Sequence, residues 1–238
     1  MAKKILILGN LGYIGPVLTK YLHNSFKNAK IIGYDTGFFQ GCLLDPEYNY
    51  DRLLSNQIYG DIRSFDNNIL KGIDAVICLA AISNDPIGKV YEKQTLDINA
   101  NSTVKIAKTA KKLGVKKFIY ASSCSVYGIM EEGSKNENSP LNPLTAYSKS
   151  KIICENKLKK LASNQFNITC LRFSTACGYS PRLRLDLVLN DFVASALINK
   201  KIELLSDGTA WRPIIDVIDM SRAIEWAIKR KLGKNNFL

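Results

Sequence analysis

Hydrophobic residues in this chain fall into short continuous runs that alternate with longer helical patterns. The short runs are rich in β-branched residues and nearly uninterrupted, as expected for strands covered on both faces of a sheet. Strands are predicted at 3–8, 30–34, about 58–60, 75–80, 117–122 and 168–173. Helices are predicted between them, at about 13–27, 64–71, 90–113 and 145–163. This alternation predicts an α/β fold, a doubly wound parallel sheet with right-handed crossovers.

The alternation weakens after residue 173. The rest of the chain predicts a loop, a helix at about 185–200, a strand at 202–205, a turn at 206–213, a strand at 214–217 and a last helix from Asp219. We therefore predict a main domain over 1–173. Residues 174–238 are predicted to form a small mixed lobe whose last strand and helix return to that domain.

A glycine-rich loop joins the first predicted strand to the first helix. Gly9, Gly12 and Gly15 have the spacing G-x-x-G-x-x-G. Glycine suits a tight turn, close approach of the backbone to a pyrophosphate, and close helix–strand packing. The helix N-terminus that follows offers N–H groups and the positive end of its dipole to phosphates. In this strand–turn–helix context the loop predicts a dinucleotide site.

The second predicted strand ends at a carboxylate, Asp35, which follows Gly15 by 20 residues. An aspartate at a strand end, taken alone, is more often a turn former. Beside a dinucleotide loop, a carboxylate here accepts hydrogen bonds from a ribose 2′-hydroxyl and repels a 2′-phosphate. The sequence therefore predicts NAD rather than NADP as the cofactor.

Composition narrows the class of protein further. The 238 residues are 46% hydrophobic, enough for one large core. No apolar run approaches the roughly 20 residues that span a bilayer, and the first residues lack the long apolar segment of a secretory signal. The six cysteines form no Cys-x-x-Cys pair, so we expect reduced thiols and no structural zinc. These features predict a cytoplasmic protein with no membrane partner and no metal.

The net charge of +12 is compatible with nucleic-acid binding. However, the lysines are scattered along predicted outer helix faces and do not form a patch with arginine and aromatic residues. We interpret them as solvated helix faces that attract an anionic small substrate as a secondary effect, and we expect no nucleic-acid partner.

Several motifs, in this order, resemble those of the extended short-chain dehydrogenase/reductase family, in particular its nucleotide-sugar epimerases and dehydratases. They are GNLGYIG, YGDIRS, CLAAIS, LDINANST, YASSCSVYG, AYSKSK, LRFSTACGYSPR and GTAWRPIIDVIDM, between residue 3 and about 228. The resemblance implies a Rossmann-like fold, NAD, and transient oxidation of a ring hydroxyl on a nucleotide-activated sugar. An epimerase returns the hydride and a reductase releases the cofactor; the sequence does not separate the two.

By this resemblance, Tyr147 and Lys151 occupy the positions of the family's catalytic Tyr-x-x-x-Lys pair. Residues four apart on a helix share one face. A nearby ammonium favours the phenolate, so Tyr147 would take the proton of a substrate hydroxyl as hydride leaves the same carbon. Lys151 would also hold the nicotinamide ribose. Ser123 takes the place of the family's catalytic Ser/Thr, and Ser122 is the near alternative.

The resemblance also implies binding residues and a dimer. Cofactor contacts are implied for Gly9, Gly12, Tyr13, Ile14, Gly15, Asp35, Asp61, Ile62, Leu79, Ala80, Ala81, Asn99, Tyr147 and Lys151. Asp61 and Ile62 would contact adenine, and Asn99 would anchor the active site. Substrate contacts are implied for Ser123, Thr175 and Arg212. Arg212 would bind the diphosphate, or else it is a surface arginine beside a turn proline. The family's habit implies a homodimer through helices 90–113 and 145–163.

The sequence also departs from the family pattern. Cys124 and Ser125 stand where 4,6-dehydratases have an Asp-Glu pair, and neither replaces that acid/base pair at neutral pH, so dehydration is disfavoured. Cys78 and Asp216 stand where relatives have histidines, and His23, in the first helix, is interpreted as structural. The chain ends soon after the IIDVIDM segment, where extended relatives continue. We therefore expect a fragment or a reduced substrate lobe.

A second hypothesis comes from another functional class. The chain would be a non-catalytic dinucleotide-binding sensor or an RNA-associated protein on the same fold. The +12 charge and the short C-terminal part favour this hypothesis, whereas the intact set of Ser123, Tyr147 and Lys151 opposes it. The aromatic loop 36–50 is interpreted as bordering either the cofactor or a dimer contact.

Overall fold

A six-stranded parallel sheet forms the centre of the computed structural model, which describes residues 4–129, 133–204, 207–209, 211–231 and 237. Its strands are β1 (Lys4–Leu8), β2 (Lys30–Asp35), β3 (Asn56–Tyr59), β4 (Ala75–Cys78), β5 (Lys117–Ser123) and β6 (Asn167–Phe173). The order β3-β2-β1-β4-β5-β6 is that of Rossmann folds, with a ligand crevice where the order reverses between β1 and β4. The six strands predicted up to residue 173 and the doubly wound parallel sheet are confirmed.

Helices cover both faces of the sheet. They are α1 (Gly15–Ser25), α2 (Asp85–Val90), α3 (Glu92–Leu96), α4 (Thr103–Lys112), α5 (Ala146–Lys159), α6 (Val188–Asn199) and α7 (Val217–Lys229), with a π-helical turn at Asp97–Ser102. No helix in the described ranges is long and apolar enough to cross a membrane.

The strands are continuously apolar because each of their faces meets a different core. Leu6 and Leu8 of β1 pack in the core that includes Leu158 of α5. Ile5 and Ile7, on the opposite face, pack with residues of α1 and α7. Fully burying one such side chain contributes about 1.5–3 kcal/mol. The two cores therefore fix the register of the central strand.

The prediction of a helix at 64–71 is wrong. Two short 3-10 turns, Ile62–Ser64 and Asn67–Leu70, occupy this stretch. Each begins after an aspartate, Asp61 or Asp66, whose carboxylate accepts a hydrogen bond from the backbone N–H two residues later. Local bonds of this kind compete with helical bonds for the backbone donors, so the segment turns twice instead of forming one helix.

The C-terminal part contains a smaller parallel pair. β7 (Thr175–Cys177) pairs with β8 (Ile214–Asp216). The strand predicted at 202–205 is not formed at residues 202–204, and its last residue lies outside the described residues, as do 206 and 210 of the predicted turn.

The last helix, α7, returns to the main sheet. Asp216 caps its N-terminus by accepting from the backbone N–H of Ile218 at 2.6 Å, so α7 begins two residues before the predicted Asp219. Val217 and Ile224 of α7 are fully buried in the core that includes α1. The division into domains at residue 173 stays a prediction.

Candidate active site

The glycine loop lies at the carboxyl end of β1, where the strand order reverses. Gly9 has a φ of +86°, and a side-chain Cβ there would lie 2.6 Å from the backbone nitrogen of Ala80. A Cβ on Gly15 would overlap the carbonyl oxygen of Asn10. Backbone atoms do not move aside as the ends of flexible side chains do, so the turn itself requires both glycines.

Gly12 differs, because the protein leaves space beside it. A Cβ there would meet only the carbonyl oxygen of Gly9, at 3.6 Å, which is ordinary van der Waals contact. Since no atom of the described residues excludes a side chain, this glycine fits a loop whose backbone a ligand approaches closely. α1 begins at Gly15, and its first N–H groups have no partner within the helix. The loop therefore fits a dinucleotide pyrophosphate.

The side chains of Tyr13 and Ile14 point away from this cradle. The Tyr13 hydroxyl donates to the carbonyl oxygen of Gly178 at 2.7 Å and accepts from Nδ2 of Asn190 at 3.1 Å. Burial raises the pKa of Tyr13 to about 12. Ile14 packs against the core that contains α1 and α7. Cofactor contacts by these two residues are left to their backbone atoms.

Asp35 stands at the end of β2, next to the glycine loop. Its Oδ2 accepts from the backbone nitrogen of Leu11 at 3.0 Å, and its Oδ1 accepts from that of Gly37 at 3.0 Å. Oδ1 also accepts from the hydroxyl of Thr36 at 3.5 Å, so the second lone pair of Oδ2 is the one left for a ribose hydroxyl. The structure thus places Asp35 between the glycine loop and the loop that follows β2, as a ribose contact requires.

The predicted adenine contacts follow β3. Oδ2 of Asp61 lies 2.6 Å from Nη2 of Arg63, and this hydrogen bond holds the pKa of Asp61 below its usual value. The side chain of Ile62 is buried in the core. The Tyr34 hydroxyl donates to the carbonyl oxygen of Asp61 at 3.1 Å, which fixes this segment to β2.

Leu79, Ala80 and Ala81 follow β4 and are half-buried. The backbone nitrogens of Leu79 and Ala80 both donate to the carbonyl oxygen of Leu8 at 2.9 Å. Ala80 occupies the space that the absent side chain of Gly9 leaves. These residues form one wall of the crevice beside the glycine loop.

Asn99 lies fully buried in the π-helical turn. Its Oδ1 accepts from the backbone nitrogen of Ile82 at 2.8 Å, and its Nδ2 donates to the carbonyl oxygen of Ile82 at 2.9 Å and to Oγ of Ser150 at 3.2 Å. Asn99 therefore ties the loop after β4 to α5, next to Lys151. It braces the site through protein contacts, and a direct contact with the cofactor stays a prediction.

Tyr147 and Lys151 lie together on the inner face of α5. A capping box at Thr145 fixes the start of the helix, so Tyr147 stands in its first turn. Nζ of the buried Lys151 donates to the carbonyl oxygen of Ala121 at 2.6 Å. It lies 5.1 Å from the ring centroid of Tyr147 and 4.7 Å from that of Tyr120. No carboxylate among the described residues forms an ion pair with this ammonium, which lies beside the ring of Tyr147.

The two serines at the end of β5 have different surroundings. The hydroxyl of the buried Ser122 donates to Oε1 of Glu155 at 2.5 Å. Ser123 is partly exposed, and its Oγ accepts from the backbone nitrogen of Ser125 at 3.2 Å. The proton of Ser122 is therefore engaged, whereas that of Ser123 is left to donate. This difference favours Ser123 as the hydroxyl that meets the substrate.

An ion pair behind these serines was not predicted. Glu155, one turn after Lys151, is 6% exposed, and its Oε2 lies 2.7 Å from Nη2 of Arg172 in β6. Arg172 also donates to the hydroxyl of Tyr127 at 2.9 Å. Glu155 follows Lys151 by four residues on the buried side of α5. A buried glutamate usually has a cationic partner, so this position is a sequence signal that a further cation lies nearby. Its partner on a distant strand gives no local signal.

Pairing of β7 with β8 brings the predicted substrate residues into neighbouring positions. The backbone nitrogen of Thr175 donates to the carbonyl oxygen of Pro213 at 3.1 Å, which places Thr175 beside the segment that carries Arg212. The side chain of Arg212 is exposed. It is available to a diphosphate, and its alternative place as a surface arginine stays open.

The family can now be assigned. The model of the NAD dependent epimerase/dehydratase family matches residues 5–237. The chain belongs to this family. The assignment confirms the resemblance seen in the motifs, and the family's dependence on NAD confirms the cofactor expected from the glycine loop and Asp35.

Named relatives of this family member include both reaction types. A dTDP-D-glucose 4,6-dehydratase of Dictyostelium discoideum is 29% identical over 246 residues, 96% of this chain and 56% of the relative. A UDP-glucose 4-epimerase of Bacillus subtilis is 28% identical over 265 residues, 96% of this chain and 74% of the relative. The structure of MoeE5 in complex with UDP-glucuronic acid and NAD has a TM-score of 0.83 at 26% identity, over 98% of this chain and 74% of MoeE5.

The chain thus spans little more than half of the dehydratase and about three quarters of the other two proteins. Cys124 and Ser125, which stand in place of the dehydratase acid/base pair, form a 3-10 turn after β5. Burial raises the pKa of the Cys124 thiol, so it does not act as a base at neutral pH. Dehydration stays disfavoured.

Within the described part of the chain, no group of three or more His, Cys, Asp or Glu residues could hold a metal ion.

Proposed function

We propose that this chain carries the NAD-binding and catalytic part of an enzyme that transiently oxidises a ring hydroxyl of a nucleotide-activated sugar, as an epimerase does. The observation that carries the proposal is the contact of Lys151 with the ring of Tyr147 and with the carbonyl oxygen of Ala121, which precedes Ser123 by two residues on β5. The substrate class is supported by the UDP-glucose 4-epimerase relative and by the UDP-glucuronic acid in the MoeE5 structure.

In this proposal, Tyr147 is the general base. The ammonium of Lys151 stabilises its phenolate, and the phenolate takes the proton of the substrate hydroxyl. The free proton of Ser123 is donated to the reacting oxygen and holds it in place. Bound NAD supplies the hydride acceptor. Returning the proton from Tyr147 completes the cycle, so the enzyme needs no other acid.

The residues that would hold NAD surround the crevice between β1 and β4. Gly9, Gly12 and Gly15 shape the pyrophosphate cradle, and Asp35 accepts from the adenine ribose. Asp61 and Ile62 lie at the adenine end, and Lys151 lies at the nicotinamide end. On the substrate side, Arg212 would bind the diphosphate and Thr175 the sugar, and the net charge of +12 attracts an anionic nucleotide sugar.

The test uses purified protein with NAD and, separately, UDP-glucose and UDP-glucuronic acid. We expect NAD to stay bound through gel filtration and the C4 epimer to form without net NADH, as followed by NMR. Net NADH formation would instead identify an oxidoreductase that exchanges its cofactor. Salt-sensitive RNA binding, together with no sugar turnover by a protein of the relatives' full length, would favour the sensor hypothesis.

We also propose a homodimer through α4 and α5, in line with the expectation for 90–113 and 145–163. The two helices pack side by side on one face of the sheet and leave their outer faces exposed.

The cytoplasmic location stays a prediction, and the six free cysteines agree with a reducing compartment.

A further inference from the structure

One segment of the C-terminal part, residues 178–186, contacts three loops at the carboxyl edge of the sheet. We call it the strap. Ser180 Oγ donates to the carbonyl oxygen of Tyr13, in the glycine loop, at 2.6 Å. Arg184 Nη1 donates to Oγ of Ser83, in the loop after β4, at 2.8 Å. Between these two contacts, Arg182 reaches the loop after β2.

Arg182 is 3% exposed and uses four hydrogen bonds to hold that loop. Its Nε donates to the carbonyl oxygen of Phe39 at 2.9 Å, and its Nη2 donates to that of Gln40 at 3.1 Å. Nη1 and Nη2 donate to the two carboxylate oxygens of Asp51 at 3.2 and 2.7 Å. The planar guanidinium reaches all four acceptors at once, which a lysine ammonium cannot do.

The loop that Arg182 holds begins at the proposed ribose site. Asp35 begins it and is bonded to both Gly37 of this loop and Leu11 of the glycine loop. The strap therefore fastens both loops beside the adenine ribose from the same side. The strap is also bonded to the glycine loop through the Tyr13 hydroxyl and the carbonyl oxygen of Gly178, so the bonds of Arg182 act together with others to hold the loops.

We propose that Arg182 is a positioning residue for bound NAD: through Asp51, Phe39 and Gln40 it keeps the loops beside the adenine ribose closed and thereby slows release of the cofactor. The inference rests on the NAD site of the proposed function. It deepens that proposal, because an epimerase must retain its cofactor and this retention is assigned to the strap. The strap contacts the loops around the site and acts on the reaction only through them.

The test measures release of NAD from wild type, Arg182→Met and Asp51→Asn by stopped-flow displacement. Methionine keeps most of the buried volume without the donors, and asparagine keeps the shape of Asp51 without its charge. If the loops of a variant are closed only a tenth of the time, the apparent Kd rises about tenfold. We expect the apparent Kd for NAD to rise by that factor through faster release. The Kd for ADP-ribose, which lacks the nicotinamide, should rise equally.

Three comparisons separate this role from general stability. Arg222→Met removes an exposed arginine of α7 that pairs with Asp219 at 2.9 Å, and it should leave release of NAD unchanged. Ser180→Ala removes the bond to the carbonyl oxygen of Tyr13 and the bond from the backbone nitrogen of Arg182, with little loss of volume, and should raise the release rate less than Arg182→Met does. Arg182→Lys, which keeps the charge, should restore only part of the retention because it cannot bind Asp51 and both carbonyl groups together.

The outcomes are distinguishable. Failure of wild type to bind NAD would overturn the proposed function and the inference together. NAD binding by wild type with an unchanged release rate in Asp51→Asn and Ser180→Ala would overturn the inference alone, even if Arg182→Met does not fold. Faster release of NAD in these variants, without a change in Arg222→Met, would support it.

Discussion

At the scale of residues, two cations next to the site, the partly exposed Arg172 and the buried Lys151, have different partners. Arg172 pairs with Glu155, so a carboxylate of the protein compensates its charge. Lys151 has one carbonyl oxygen and two aromatic rings around its ammonium. An ammonium with such partners stays available to a phenolate, because carbonyl groups and rings compensate its charge only in part. The difference supports a structural role for Arg172 and the proposed catalytic role of Lys151.

The sharpest prediction at this scale concerns the phenol of Tyr147. Tyr147→Phe removes one hydroxyl and should leave the free energy of unfolding and NAD affinity nearly unchanged. It should lower kcat by about 10² or more, the usual contribution of a positioned acid/base. Tyr21→Phe, which loses a hydroxyl on α1 that donates to Glu225, serves as the control. A Tyr147→Phe enzyme with a near-normal rate would exclude the catalytic role.

Lys151 should show a different pattern, since it serves both phenol and ribose. Lys151→Ala should lower kcat and also weaken NAD binding, measured by calorimetry. Lys149→Ala, two residues earlier on the exposed face of the same helix, is the matched control and should change neither. Equal NAD affinity in wild type and Lys151→Ala would show that the lysine does not hold the ribose.

At the scale of elements, the glycine loop and the helix after it form a unit in which the glycines have separate tasks. Gly9 and Gly15 are required by contacts within the protein, whereas Gly12 borders open space. The π-helical turn is a similar device, because it carries the buried Asn99 against the loop after β4. Such turns frequently occur at functional sites.

This distinction predicts opposite outcomes for two similar substitutions. Gly12 has no positive φ, so Gly12→Ala should preserve stability or raise it by about 0.5 kcal/mol while weakening NAD binding more than about tenfold. Gly9→Ala should instead destabilise the fold, which thermal unfolding reports. Gly88→Ala, where a Cβ would lie 3.8 Å from Thr95, controls for the substitution itself. Unchanged NAD affinity in Gly12→Ala would contradict the pyrophosphate cradle.

At the scale of the whole molecule, charge bears on the proposed dimer. α4 and α5 contain one carboxylate, Glu155, and it is buried. Their exposed positions include Lys105, Lys108, Lys149 and Lys157. A symmetric pairing of these helices would bring positive charges together without a compensating carboxylate from either helix, so the dimer would be opposed by repulsion.

We therefore expect dimerisation to strengthen with salt. Sedimentation should show a larger dimer fraction at about 0.5 M than at about 0.05 M NaCl, because the screening length falls well below 10 Å. Lys108→Glu should tighten the dimer at low salt, whereas Lys71→Glu, outside both helices, should not. A monomer at every salt concentration would remove the dimer, and a dimer that weakens with salt would place the interface elsewhere.

The sequence by itself determined the main sheet and the cofactor crevice. Continuous apolar strands and the spacing of Gly9, Gly12 and Gly15 are local patterns, and a parallel sheet with right-handed crossovers follows from the alternation of strands and helices. Tyr147 and Lys151 were predicted as a pair from the resemblance to the family, and helical periodicity is compatible with the pair because it places the two residues on one face. Asp35 followed from its position at the end of a strand next to that loop.

Only the tertiary structure decided which polar groups are engaged and which are free. Ser122 and Ser123 are neighbours in sequence, and the choice between them depends on Glu155, a residue on another element. Arg182 and Asp51 lie 131 residues apart, so no local pattern joins them. Hydrogen bonds and ion pairs of this kind form where the sheet and its loops bring distant segments within about 3 Å, and that proximity is a property of the folded chain.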